Sequence, residues 1–189
     1  MRTLKNSLLL ALALAPFATA AEPPKFDYRL LATQRTSTME KEMNEAGAGG
    51  YVFGGVMGGE TGFGGKEVVV VMMKRLSGAL ASRKYKLLAT SRTSTLQKEM
   101  QQAGEEGFEY RGQTVFESAF GGKEVSVIME RDTAGSKRFS YRLLATSRTS
   151  TMQKELQEAG GPGFLLLGVS VGKTSLAGAE VVCIMGRDE

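Results

Sequence analysis

The chain has 189 residues, with 24 Lys and Arg against 20 Asp and Glu, a formal charge of +4, one cysteine and no histidine. Without imidazole there can be no His-based triad, Cys–His pair or His-ligated metal site, and a lone Cys183 rules out an intramolecular disulfide. The charge is nearly balanced and no Lys/Arg run marks a face for nucleic acid, which excludes that class of partner.

At the N-terminus, Arg2 and Lys5 precede an apolar run from Ser7 to Ala15, and Ala18-Thr19-Ala20 supplies the small residues of a cleavage site. The run falls short of the ~20 residues that a bilayer span needs. Residues 1–20 therefore read as a secretory signal peptide. The mature chain, starting near Ala21, is expected to be exported, periplasmic or secreted, with no membrane insertion. Loss of Arg2 and Lys5 leaves +2 of the formal +4.

One phrase then occurs three times: "YRLLATQRTSTMEKEMNEAG" from Tyr28, "YKLLATSRTSTLQKEMQQAG" from Tyr85 and "YRLLATSRTSTMQKELQEAG" from Tyr141. The likeness continues to Glu67, Glu124 and Glu180 at the same offsets, 57 and then 56, so the units align without gaps. They span 26–75, 84–131 and 140–187. The Ser/Gly/Ala/Lys stretches 76–84 and 132–140 read as linkers.

Each unit reads as strand, helix, strand, strand. Tyr28, Leu30 and Ala32 alternate onto one face of a first strand. Ser37, Ser94 and Ser150, each with Glu or Gln three residues later, fit a capping box opening a helix of about nine residues. Met39, Met43 and Ala46 form its apolar stripe, and Gly47, Gly104 and Gly160 are expected to close it in the left-handed conformation. Tyr51, Phe108 and Phe164 then open the second strand. Gly55 reads as a bulge and Gly65 as a hairpin turn, with Gly58, Gly59 and Gly62 in a loop between them. The third strand is the most apolar. Val125, Val127 and Met129 alternate with Ser126, Ile128 and Glu130, implying one core face and one that is partly covered or exposed. The fold class expected is α+β, three tandem βαββ repeats packed with pseudo-threefold symmetry. A unit of roughly 48 residues without disulfide or metal is marginal alone, so the units should share burial.

Candidate chemistry is sparse. Cys183 takes the place of Val70 and Val127 and reads as a small hydrophobe. "GVSVGKT" at 168–174 has three residues between its glycines where a P-loop needs four, and no helix follows. Thr38/Lys41, Thr95/Lys98 and Thr151/Lys154 echo a Ser-x-x-Lys element, but its accompanying motifs are missing. Glu67, Glu124, Glu180, Glu42, Glu99 and Glu155 could serve as acids or bases only if a pair converged in a cleft. The strongest binding candidate is R-T-S-T at each helix start: Arg35, Ser37 and Thr38; Arg92, Ser94 and Thr95; Arg148, Ser150 and Thr151. There a guanidinium, hydroxyls and free amides would suit a small anionic ligand.

The stretch 85–131, above all "AGEEGFEY" at 103–110 before "EVSVIMER", resembles a small bacterial βαββ domain-of-unknown-function family, number 4177. Phe108 stands where that family usually has Trp. "AGAGGYVF" and "AGGPGFLL" lack the Glu before the second Gly. The resemblance implies βαββ units and no activity, cofactor or catalytic residue. The resulting expectation is an exported, non-enzymatic structural or interaction protein without cofactor, its partner an unknown protein. The alternative is an anion-binding module using the R-T-S-T starts.

Overall fold

The most apolar strand of each repeat lies in the middle of its sheet, where pairing on both sides takes its backbone out of water. The computed structural model describes residues 23–61, 65–77, 82–117, 123–135, 137–174 and 178–189; the expected signal segment lies outside them. The first unit comprises β1 (Phe26–Thr33), α1 (Thr36–Ala48), β2 (Val52–Thr61) and β3 (Gly65–Arg75). The second comprises β4 (Arg83–Thr90), α2 (Thr93–Glu105), β5 (Glu109–Glu117) and β6 (Lys123–Asp132). The third comprises β7 (Phe139–Thr146), α3 (Thr149–Gly160), β8 (Leu165–Thr174) and β9 (Gly178–Asp188). The sheets are antiparallel, ordered β1-β3-β2, β4-β6-β5 and β7-β9-β8. The protein is thus α+β, built of three tandem βαββ repeats. No helix among the described residues is long and apolar enough to cross a membrane.

Register follows the repeat. Leu31 faces Val70, Leu88 faces Val127 and Leu144 faces Cys183. All three central-strand residues are buried, so Cys183 occupies a valine's place as expected. Bulges interrupt pairing at Phe53/Gly55, Tyr110/Gly112 and Leu166/Gly168. Gly65 turns with φ +84°. Gly58 and Gly59, expected in a loop, instead extend β2, pairing with Val68 and Glu67; Gly62 lies outside the described residues.

The helices have 13, 13 and 12 residues rather than about nine. Gly47, Gly104 and Gly160 do not end them by a left-handed turn. That conformation falls three residues later, at Gly50, Gly107 and Gly163 (φ 84°, 87° and 88°). There Gly50 N–H donates to Gly47 O and Tyr51 N–H to Ala46 O, closing the helix with the paired bonds of a Schellman motif. Gly47 and Gly104 serve close approach instead. A Cβ at Gly47 would lie 2.5 Å from the Arg83 carbonyl oxygen and 2.9 Å from the Tyr85 ring, and one at Gly104 would overlap the Phe139 carbonyl oxygen.

These contacts reach into the next unit because burial is shared. Met39 and Met43 of α1 pack with Leu87 and Ile128 of the second unit. Leu96 and Met100 of α2 pack likewise with Val182 and Ile184 of the third. Val127 and Met129 lie in the cluster of their own helix, while Ile128 joins the core of the preceding unit. Both faces of β6 are therefore buried over residues 125–130, Ser126 included, which corrects the expectation of a second face only partly covered or exposed. Each buried Met, Leu or Ile contributes about 1.5–3 kcal/mol, and a lone unit would lose the partners its neighbour supplies, Tyr85, Leu87 and Ile128 in the first cluster and Phe139, Tyr141, Val182 and Ile184 in the second.

Candidate functional site

The R-T-S-T residues sit at the helix starts, but not in the roles expected of them. Arg35, Arg92 and Arg148 are the N-caps, extended in backbone, and no side chain caps the helices. Their own N–H groups donate to Thr33, Thr90 and Thr146 Oγ1 at 3.1–3.2 Å. Ser37, Ser94 and Ser150 are one position inside the helix and exposed, with Thr38, Thr95 and Thr151 half-buried beside them. The capping box fails in all three units because Arg, not Ser, takes the N-cap position, and in the first two the Glu/Gln is engaged elsewhere. Glu40 Oε2 accepts from Leu87 N–H at 2.8 Å and Gln97 Oε1 from Leu143 N–H at 2.6 Å, each across to the next unit.

A recess of about 360 Å³ takes in one start only, with Thr93, Ser94 and Gln97 on one wall and Leu143, Leu144 and Ala145 on the other. Glu155 shares it, and its carboxylate opposes any anion drawn to the α2 amides. The other sequence candidates are dispersed. Lys41 pairs with Glu45 and Lys154 with Glu158 on exposed helix faces. Gly168 of the P-loop-like stretch lies within β8. Burial pushes the Cys183 thiol up, away from the reactive thiolate. Among the described residues no three His, Cys, Asp or Glu side chains group as a metal site.

The side chains that do converge line the seams between units. Asn44 brackets Tyr85, its Nδ2 donating to the carbonyl oxygen and its Oδ1 accepting from the N–H, both at 3.0 Å. Gln97 and Gln101 do the same for Tyr141, at 2.9 and 3.1 Å. Helix amides and carboxylates thereby complete the free edges of β4 and β7, which would otherwise leave backbone groups unpaired. The tyrosines answer in the opposite direction. Tyr85 OH donates to Glu130 Oε2 at 2.6 Å, and that same oxygen accepts from Phe53 N–H at 3.3 Å. Tyr141 OH donates to Phe108 O and accepts from Tyr110 N–H, both at 2.9 Å. The seams escape a single-unit reading of the sequence, although the polar pairs Glu40/Asn44 and Gln97/Gln101, one helical turn apart, are their signal.

A second repeated feature holds each helix exit. Arg29 and Lys74 flank the Tyr51 ring, Lys86 and Arg131 the Phe108 ring, and Arg142 and Arg187 the Phe164 ring, at 4.7–5.5 Å. Arg131 and Arg187 also donate to Glu106 O and Pro162 O.

Burial raises the phenols of Tyr85 and Tyr141 above the ordinary tyrosine range, the Glu130 carboxylate adding to it at Tyr85. Burial pushes Tyr110 up to about 12. A raised folded-state value means that the unfolded chain ionises first. Stability is therefore fully present below about pH 10 and falls as pH rises through about 12. Urea midpoints measured across that window should drop, and Tyr110→Phe should flatten the decline. An unchanged midpoint would show that these phenols are solvated.

Comparison with protein-family models, curated proteins and solved structures finds no match to this chain.

Proposed function

We propose that the chain is an exported, non-enzymatic structural or interaction protein, akin to the 4177 family through residues 85–131. The observation that carries this reading is where the polar groups go. Glu40, Asn44, Gln97, Gln101 and the seam tyrosines are engaged in joining units, and a run of apolar side chains on β8 is left facing outward. Leu166, Val169 and Val171, which share a face through the bulge, are exposed along this one strand, as are Leu165 and Leu167, an accumulation that marks contact surfaces rather than scattered solvent-facing residues. Anion binding at Arg35, Arg92 and Arg148 is the weaker reading, because the α2 start lines a recess that it shares with Glu155.

A photo-reactive phenylalanine analogue placed at Leu166 tests the proposal in cells that express the chain. Discrete protein adducts are expected from Leu166 and none from the same probe at Lys98, exposed on α2. Equal labelling at both positions, or none at either, would remove the reading.

A further inference from the structure

The seam between units occurs twice among the described residues, and within them the first and third units each carry one unmatched half of it. We propose that a second copy of the chain docks head to tail, the third unit of one on the first unit of the next. This rests on the interaction-protein reading and names the partner as the chain itself.

The outgoing half is on the third unit. Gln153 and Gln157 hold the positions of Glu40/Asn44 and Gln97/Gln101, and both are exposed on α3. Gly47 and Gly104 are pressed against the following unit, whereas nothing lies within 4 Å of a Cβ at Gly160. Phe53 and Val56 pack on Gly112, and Tyr110 and Gln113 pack on Gly168. Their counterparts Leu166 and Val169 stand 51% and 54% exposed.

The incoming half is on the first unit. Tyr28 is 62% exposed where Tyr85 and Tyr141 are 2% and 3%. Leu30, at 70%, corresponds to the buried Leu87. A Cβ at Gly55 would meet nothing within 4 Å, although its equivalents Gly112 and Gly168 are both covered. Behind them Val69 and Val71 are half-buried, where Ser126, Ile128, Val182 and Ile184 are closed off. β1 is an edge strand, so its outer backbone groups are open to pairing.

Each feature missing a partner at one end thus has that partner, by repeat position, at the other. Leu166 meets Gly55, Gln153 and Gln157 reach the edge of β1 at Leu30 and Tyr28, and Gly160 receives the Phe26 backbone and the Tyr28 ring. The contact is heterologous, so it propagates into a filament or closes into a ring.

Sedimentation velocity of the purified chain over a concentration series tests this. Wild type should form whole multiples of the chain mass. Leu30→Arg and Leu166→Arg, both at exposed positions, should each weaken association by about tenfold or more. An equimolar mixture of the two should form a dimer that grows no further, because it restores one wild-type seam and leaves only blocked ends. Where arginine disturbs folding, judged by circular dichroism, the serine variants are read in the same way. A wild type that stays monomeric, a single variant that still extends, or a mixture that does not pair would overturn the proposal. A monomeric wild type that still gives a Leu166 adduct with a different protein sinks self-docking alone; loss of all adducts sinks the interaction reading with it.

Discussion

Alanine at Gly104 is expected to destabilise the chain by about 2 kcal/mol, while alanine at Gly160, the same position one repeat later, should stabilise it by about 0.5–1 kcal/mol. The helical preference for alanine over glycine is common to both sites, so the difference comes from what the methyl meets. At Gly104 it would overlap the Phe139 carbonyl oxygen and come within 2.9 Å of the Tyr141 ring. Neither neighbour can give way cheaply. Phe139 O belongs to the backbone of β7, and moving that strand would strain the bonds from Gln97 and Gln101 to Tyr141. At Gly160 the methyl enters open space. Urea midpoints at low protein concentration should shift in opposite directions, and shifts of the same sign would mean that α2 and α3 see alike surroundings. Gly160→Ala carries a second expectation. If the chain docks head to tail, the added methyl falls where the partner's strand would lie, so the variant should be the more stable monomer and the poorer assembler.

That pair of glycines also shows how far a sequence can be read. The repeats, the three-strand units and the inward Cys183 were legible, because strand alternation is local and Val70 and Val127 stand as comparators for the thiol. Gly47 and Gly104 read as helix ends, since glycine serves both a left-handed stop and a close approach; only the neighbouring strand decides between them. The capping box was a sound local pattern set two residues off, since Arg35, Arg92 and Arg148 take the N-cap positions. Glu40 and Gln97 reach a better acceptor role at the open edge of the next sheet than at their own helix start. Ser126 and Glu130 looked like alternates on a partly covered or exposed face, yet both are buried, Glu130 accepting from Phe53 N–H of the preceding unit. Of the candidate site, the positions of the R-T-S-T residues at helix starts were readable. Their scattering was not, because it depends on how whole units stack.

Glu130→Ala should cost about 3 kcal/mol, the lower end of the range for breaking a buried ion pair. The carboxylate is buried, but Arg83 and Arg111, whose Nε atoms lie 3.6 and 3.8 Å from it, are 22% and 34% exposed and keep Asp132 and Glu109 as partners when it is removed. The heavier loss is in hydrogen bonds. Tyr85 OH and Phe53 N–H both donate to Glu130 Oε2; without it Tyr85 OH falls back on the Tyr51 carbonyl oxygen at 3.4 Å, while the buried Phe53 N–H loses its acceptor, which costs about 1–3 kcal/mol. Glu130→Gln keeps an acceptor oxygen while removing the charge, so it should cost about 1–2 kcal/mol. Tyr85→Phe deletes one donor along with its need and should cost about 1 kcal/mol. The third unit shows why satisfying donors outweighs charge in this seam. Gly186 replaces the acid there, and Tyr141 OH bonds Tyr110 N–H and Phe108 O directly. The seam therefore forms without any carboxylate, provided every donor finds an acceptor. Urea midpoints for the three variants should rank the losses as Ala, then Gln, then Phe. Equal losses for Ala and Gln would instead assign the strength of this seam to the ion pairs with Arg83 and Arg111.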